Sequence, residues 1–186
     1  MRDLEIYLCY VLRHKPEDIH LTMDKHGWVY VSELICKIND FTSYTLTKEL
    51  LKQIVATDNK QRFKFDDNCE RIKCCQGHSI SWVEPELEYK EPPKFLYHGT
   101  TVESARRIES SGFISKMERH AVHLSDNMDK AWQSAGRWHT TPVLLKIDSN
   151  AMFVDGYKFG VSENGVWCVE EVPVKYICDK VYKEGE

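Results

Sequence analysis

The residues able to do chemistry lie in short blocks of cations, histidines, hydroxyls and glycines. Arg13 and His14 close an apolar-striped segment within Leu12-Arg13-His14-Lys15-Pro16. Cations there offset a helix dipole and bond the last carbonyls, which by itself would account for them. Lys60 and Arg62 sit where a strand begins, Lys60-Gln61-Arg62-Phe63, and a solvated strand edge explains them adequately. Gln76-Gly77-His78-Ser79 sets three hydrogen-bonding side chains around a glycine, as expected where backbone must come close to a ligand or a neighbouring domain; a simple turn is the plainer account. Leu96-Tyr97-His98-Gly99-Thr100 ends a strand in His-Gly-Thr, the glycine breaking the strand and Thr100 capping the next helix while facing a ligand. Arg119-His120-Ala121-Val122-His123-Leu124-Ser125 supplies a second strand whose histidine and serine can face the same cleft. A lone histidine at a strand end is more often structural than a ligand, so it is the company of these blocks that points to a site.

Composition narrows the partners. Net charge is −4, so the protein as a whole does not attract nucleic acid, and any RNA contact must come from a local basic cluster. A hydrophobic share of 42% and a charged share of 29% are those of an ordinary soluble globular protein. No apolar run approaches the ~20 residues of a membrane span. The opening Met1-Arg2-Asp3-Leu4-Glu5 carries acids and no continuous apolar stretch, so no export signal is expected and the cytoplasm is the expected compartment. The cysteines form no C-x-x-C pair, and the adjacent Cys74 and Cys75 suit neither a shared zinc nor a mutual disulfide. Free thiols are expected.

The elements that must position these blocks read as two halves, α+β in class. Leu4, Tyr7, Leu8, Val11 and Leu12 form the stripe of a core-facing helix, which Pro16 should stop near His14. An extended piece at Gly27-Trp28-Val29 precedes a helix with Ser32 as N-cap and Leu34, Ile35 and Ile38 as its apolar face. Thr47 caps a third helix bearing Leu50, Leu51, Ile54 and Val55. Two β-like runs, Arg62–Phe65 and Arg71–Cys74, flank the turn residues Asp66, Asp67 and Asn68. Three helices followed by a two-stranded wing is a winged-helix pattern. A charged, proline-bearing linker follows, and the second half opens on the strand at Phe95–His98. Thereafter the pattern gives a helix over Val102–Ser110 closed by Gly112, a strand at Val122–Leu124, a helix over Asp126–Ala135, and strands at Pro142–Ile147, Gly165–Val169 and Val174–Ile177.

Taken together and in this order, the blocks Leu12–Pro16, Asp58–Phe63, Gln76–Ser79, Leu96–Thr100, Val122–Ser125 and Glu163–Trp167 resemble the NAD-dependent tRNA 2′-phosphotransferase family. The resemblance spans nearly the whole chain. It implies an N-terminal winged-helix domain over 1–82, a linker over 83–93 and a C-terminal ADP-ribosyltransferase-like mixed-sheet domain over 94–186, with the active site between the two domains. It implies a catalytic basic set of Arg13, His14, Arg62 and Arg119. The dinucleotide site falls on His98, Gly99 and Thr100, on His123, Leu124 and Ser125, and on Asn164, Gly165 and Val166. Lys60, Gln76, His78 and Ser79 are the implied RNA contacts. Two positions depart from the pattern: Lys73 stands where many members carry arginine, and Ala121 where the strand motif often has a first histidine, with His120 one residue earlier.

The implied reaction consumes NAD and needs no metal. An RNA 2′-phosphate attacks the nicotinamide ribose, expelling nicotinamide and leaving an ADP-ribosylated phosphate. A ribose hydroxyl then displaces RNA and closes ADP-ribose cyclic phosphate. A phosphomonoester carries roughly −1.5 to −2 charge at neutral pH and needs no general base, which makes an apolar Val166 sensible where protein-modifying relatives carry glutamate. The expected partner is RNA with an internal 2′-phosphate and the expected state a monomer. Two rival expectations stand beside it: ADP-ribosylation of a nucleic-acid terminal phosphate by the same pocket, and a winged-helix nucleic-acid-binding protein without catalysis.

Overall fold

The N-terminal stripe folds as a helix: α1 spans Arg2–Arg13 and buries Leu4, Leu8, Val11 and Leu12 in the computed structural model, which describes residues 2–136 and 140–183. Acids at Asp3 and Glu5 in its first turn and Arg13 in its last suit the helix dipole. Pro16 ends it and opens a single 3-10 turn, Pro16–Ile19. The chain divides into two compact units, Met1–Glu86 and Leu87–Glu186. Among the described residues no helix is long and apolar enough to cross a membrane, and no cysteine forms a disulfide.

In unit 1, α2 spans Val31–Phe41 and α3 spans Lys48–Thr57. Thr47 caps α3 as expected, its side chain accepting the Leu50 N–H. Ser32 does not cap α2. The helix starts two residues earlier, from an extended Tyr30 with no side-chain cap bond, because strand β1, Val29–Tyr30, leads straight into it. β1 joins β2 (Phe63–Phe65) and β3 (Arg71–Cys74) in an antiparallel sheet of order β1-β3-β2, so the two runs expected to stand alone lie in a sheet of three strands. Asp66 sets the β2–β3 turn by accepting the N–H groups of Glu70 and Arg71. Val29, Phe63, Ile72 and Cys74 face the core with Leu8, Leu12, Leu34, Leu51 and Ile54.

In unit 2 the sheets are built from short antiparallel strands. Strand β4, Glu88–Tyr89, arises within the stretch expected to be linker and pairs with β9, Gly160–Val161. Strand β5 spans Phe95–Thr101 and continues through Gly99 rather than breaking there. Thr101, not Thr100, caps α4 (Val102–Ser111), accepting the Ser104 N–H; Gly112 closes α4 at φ 87°. Strand β6 covers Phe113–Ser115 and β7 covers Val122–Leu124. Helix α5, Met128–Ala135, begins two residues later than expected, because Asn127 caps it through the Lys130 N–H. Strand β8 covers Pro142–Asp148 and leads into a helix the apolar pattern did not show, α6, Ser149–Val154, capped by Asp148. The strand expected at Gly165–Val169 is confined to β10, Trp167–Val169, with Gly165 in the preceding turn at φ 76°. Strand β11 is Glu171–Pro173. The strand expected over Val174–Ile177 is a 3-10 turn over Val174–Tyr176, and the strand proper, β12, is Ile177–Tyr182.

The sheets run β4-β9-β10-β7 and β12-β8-β5, with β6 and β11 paired apart, and an antiparallel bridge between Tyr97 and Ser125 links β5 to the end of β7. Leu96, Val122, Leu124, Leu145, Ile147, Phe159 and Trp167 fill the core beneath.

Helix α5 rests on β5 at Gly99, where an added Cβ would lie 2.1 Å from the Ala131 carbonyl oxygen. That contact is with backbone, which cannot yield as a side chain can. Gly99→Ala is therefore expected to lift α5 and destabilise the protein by about 1–3 kcal/mol, the usual cost of overpacking. Thermal or urea unfolding of the purified variant checks this; wild-type stability would show that the helix yields freely.

Candidate active site

Unit 1 gathers its polar residues at the C-terminal end of α1. The loop Gln76–Ser79 passes over that end, with Gly77 at φ +90° and its backbone against the Arg13 guanidinium, where a Cβ would sit 3.5 Å from Cζ. The Ser79 N–H donates to the Arg13 carbonyl at 2.9 Å, taking up a helix-end acceptor. The Ser79 hydroxyl lies 2.9 Å from His14 Nδ1 and orients that ring. Arg13 Nε and Nη2 are buried and find no hydrogen-bond partner among the described residues.

What balances the Arg13 charge is sulfur. Burial alone would lower the Arg13 pKa, but Cys74 and Cys9 outweigh it and hold it above its ordinary value. Reciprocally, burial would raise the Cys74 thiol, yet the Cys9 thiol that donates to it and the charge of Arg13 bring it down to about 7. Cys9 is pushed up, first by that same hydrogen bond and then by burial. Sulfur supplies charge but is a weak hydrogen-bond acceptor, so the two guanidinium nitrogens lack the oxygen acceptors that a buried arginine normally has.

Arg62 is differently placed. Its Nε donates to Asp58 Oδ1 at 3.0 Å, its Nη2 to the same atom at 2.8 Å, and Nη2 also pairs with Glu5. Asp58 is buried, and it accepts the backbone N–H groups of Lys60 at 3.1 Å and Arg62 at 2.5 Å. Sequence reasoning placed Asp58 at the head of the Asp58–Phe63 block without giving it a role, and gave Glu5 none at the site; the available signal was a carboxylate four residues before Arg62. Lys60 is exposed beside them. His78 is buried, with Nε2 3.0 Å from where a Gly27 Cβ would be, so it is packed into unit 1 while Ser79 next to it touches His14. Gln76 is half-buried. Lys73, at the position of departure, is buried over the Trp28 ring, 4.6 Å from its centre, and pairs with Glu86.

Unit 2 assembles the remaining residues through strand register. Tyr97 and Ser125 exchange backbone hydrogen bonds of 2.8 and 2.9 Å, and Trp167 pairs with Leu124, so the His98, His123 and Val166 segments lie side by side. His98 Nδ1 donates to the His123 carbonyl at 3.1 Å, which makes Nε2 the acceptor nitrogen. Burial holds the His98 pKa below its usual 6.5; the His123 carbonyl opposes this and the charge of Arg119 adds to it. Arg119 lies in an exposed loop before β7. Gly99 and Thr100 turn elsewhere: Gly99 is occupied by α5, and Thr100 is buried in the unit. Leu124 is in the core, and the Ser125 hydroxyl accepts the Asn127 N–H at 3.1 Å in the turn before α5.

The turn bearing Asn164, Gly165 and Val166 is closed by a residue that sequence reasoning missed. The buried Ser162 hydroxyl accepts the Val166 N–H at 3.1 Å and lies 2.8 Å from Asn164 Oδ1. A serine before a Glu-Asn-Gly turn was the available signal. Among the described residues no group of three or more His, Cys, Asp or Glu is arranged to hold a metal.

The family model described as RNA 2′-phosphotransferase, Tpt1 / KptA family, matches residues 3–171. A probable RNA 2′-phosphotransferase of Burkholderia pseudomallei is 46% identical to this chain over 171 residues, covering 92% of it and 91% of the relative. Proteins of the same description from Pseudomonas syringae pv. tomato and Fusobacterium nucleatum are 41% and 42% identical, over 91% and 92% of this chain and 89% and 94% of their own lengths. A crystal structure of a Caulobacter crescentus protein aligns with 50% of this chain and 88% of its own at a TM-score of 0.39 and 15% identity, too distant to argue from.

A histidine held neutral in the folded state couples stability to pH. As pH falls below about 6.5 the unfolded chain takes up a proton that folded His98 refuses, so stability drops, and the loss levels off once folded His98 itself protonates. Wild type is expected to lose more unfolding free energy on acidification than His98→Asn. Denaturant titrations of both proteins from about pH 7.5 to 5 measure the difference; parallel losses would mean that folded His98 protonates as readily as unfolded.

Proposed function

The chain belongs to the RNA 2′-phosphotransferase, Tpt1 / KptA family, and we propose that it removes an internal 2′-phosphate from RNA by transfer to NAD, as a cytoplasmic monomer. The products are RNA with a 2′-hydroxyl, ADP-ribose 1″,2″-cyclic phosphate and nicotinamide. In this reading unit 1 is a winged helix and unit 2 an ADP-ribosyltransferase-like lobe. Three helices with an antiparallel sheet in the first, and short mixed-length sheets in the second, support it.

The observation that carries the reading is the Arg13 guanidinium, whose buried Nε and Nη2 have no hydrogen-bond partner among the described residues. A phosphate oxygen is the acceptor such a fork fits, and a permanently charged arginine suits a group that stays anionic throughout the reaction. Arg119 and Arg62 add charge for the second step, in which a phosphodiester is displaced. His14, oriented by Ser79, is the group of this set able to move a proton near neutral pH. Lys60, Gln76 and Ser79 contact the RNA around the phosphate, and His78 supports the loop that carries them.

NAD, consumed as co-substrate, supplies the electrophilic ribose carbon and the hydroxyl that closes the cyclic phosphate. The residues of unit 2 fit it: His98 is held neutral with Nε2 as acceptor, suited to a ribose hydroxyl. His123 and Ser125 on the neighbouring strand and the Ser162-closed turn at Asn164, Gly165 and Val166 would complete the wall. Gly99, Thr100 and Leu124 shape that wall from within by packing. Because the attacking phosphate is already ionised, the first step needs no proton acceptor at the apolar Val166, and the proton of the hydroxyl that attacks in the second step falls to His14.

Nicotinamide release on mixing the protein, NAD and a 2′-phosphorylated oligonucleotide tests the reading, and product mass identifies its end. ADP-ribosylated 5′-phosphorylated oligonucleotide as the sole product would instead indicate transfer to terminal phosphates. Arg119→Ala, on an exposed loop, is expected to keep the wild-type melting temperature and lose about 2.7–4 kcal/mol of transition-state stabilisation, roughly a hundred- to thousandfold in kcat. Full turnover by that variant would remove Arg119 from the mechanism.

A further inference from the structure

We propose that the two carboxylates on Arg62 have different tasks: Asp58 positions the guanidinium, whereas Glu5 competes with the RNA phosphate for it and so sets the affinity for phosphorylated RNA. The inference rests on the reading of Arg62 as a phosphate-holding residue, and it follows from how each acid is held.

Asp58 cannot leave. Its side chain is 1% exposed, and it bonds the Lys60 and Arg62 backbone N–H groups as well as the Nε and Nη2 edge of Arg62. Withdrawing it would strip acceptors from buried donors at several points at once. Glu5 is 26% exposed and reaches Nη2 from the first turn of α1, so a rotation about its own side-chain bonds carries it into water. The other edge of the guanidinium, Nη1 and Nη2, faces Glu5 and the weakly accepting Cys9 sulfur, 3.8 Å from Nη1.

Charge then decides the order of events. The charges of Arg62, Asp58 and Glu5 taken alone sum to −1, and the Glu5 carboxylate opposes the approach of a phosphomonoester of roughly −1.5 to −2 to Arg62. With Glu5 swung away, Arg62 and Asp58 form a neutral pair whose Nη1–Nη2 edge matches two phosphate oxygens. Asp58 meanwhile keeps the plane of the guanidinium fixed. Asp58 is thus a positioning residue, and Glu5 a determinant of substrate affinity.

Steady-state kinetics with 2′-phosphorylated and unphosphorylated oligonucleotides, NAD and the full chain distinguish the two roles. For Glu5→Gln, kcat/KM toward the phosphorylated RNA is expected to rise about fivefold through a lower KM, the worth of an ion pair near 1 kcal/mol. Binding of unphosphorylated RNA should not change. For Asp58→Asn, kcat is expected to fall at least about tenfold, with the loss in kcat rather than KM. If Asp58→Asn does not fold, Glu5→Gln alone decides. An acid that merely braces α1 would lower the melting temperature on substitution and leave KM unchanged or higher, and that result overturns the inference while the parent activity stands. A wild-type protein without turnover on 2′-phosphorylated RNA overturns the parent reading and this one together.

Discussion

A half-buried guanidinium whose Nε and Nη2 are shielded from water and find no hydrogen-bond partner among the described residues is the condition around which the C-terminal end of α1 is arranged. An isolated ion costs several kcal/mol to bury after relaxation, so the surroundings of Arg13 must repay most of that. They do so in three ways. The Cys74 sulfur, drawn down to about 7, supplies counter-charge; Ser79 holds the Arg13 carbonyl; and Gly77 brings peptide backbone over the side chain. Gly77 is needed for its φ of +90° more than for its size, because a Cβ there would meet the guanidinium at ordinary van der Waals distance. Charge is balanced in this way while hydrogen bonding is not. On the proposed function, an arriving oxyanion would supply the missing acceptors and recover that cost.

Unit 2 solves the complementary problem, keeping a titratable ring uncharged. A protonated His98 beside Arg119 would repel it and would turn both ring nitrogens into donors. Burial, the backbone acceptor on Nδ1 and the neighbouring arginine fix one tautomer and one charge state. The same register that delivers the His123 carbonyl delivers the Tyr97–Ser125 bridge, so strand pairing and ring chemistry are set by one alignment. A one-residue slip of β7 would carry His123 to the other face and present no carbonyl to His98.

Much of the fold was legible because long periodic segments announce themselves. The stripe at Leu4, Leu8, Val11 and Leu12, the cap at Thr47, the hairpin around Asp66 and the buried run at Pro142–Asp148 lie where local pattern puts them. The misses share a cause, namely tertiary pairing overriding local signals. Tyr30 starts α2 because β1 is already in the sheet, and Gly99 stays in β5 because α5 needs a residue without a Cβ there. Val174–Tyr176 turns although its residues favour strands, since β11 must hand over to β12. Within the block from His98 to Thr100, only the fold separates His98, which presents a ring nitrogen, from Gly99 and Thr100, which pack.

What no sequence pattern carries is the pairing of charges, and here that pairing changes the chemistry. Counting cations treats Arg13, Arg62 and Lys73 as equivalent. In the fold, Lys73 is matched by Glu86 under Trp28, Arg62 by two carboxylates, and Arg13 by a thiol that offers charge without a good acceptor. Three positive side chains within one small unit thus differ in the anion each can still take. The partners of Arg13 and Arg62 come from α1, from the loop before β2 and from β3, and Arg62 meets Glu5 across 57 residues of sequence. An anion site is therefore defined less by the number of its arginines than by the acids and sulfurs beside them, because these determine which guanidinium is left with hydrogen-bond capacity to give.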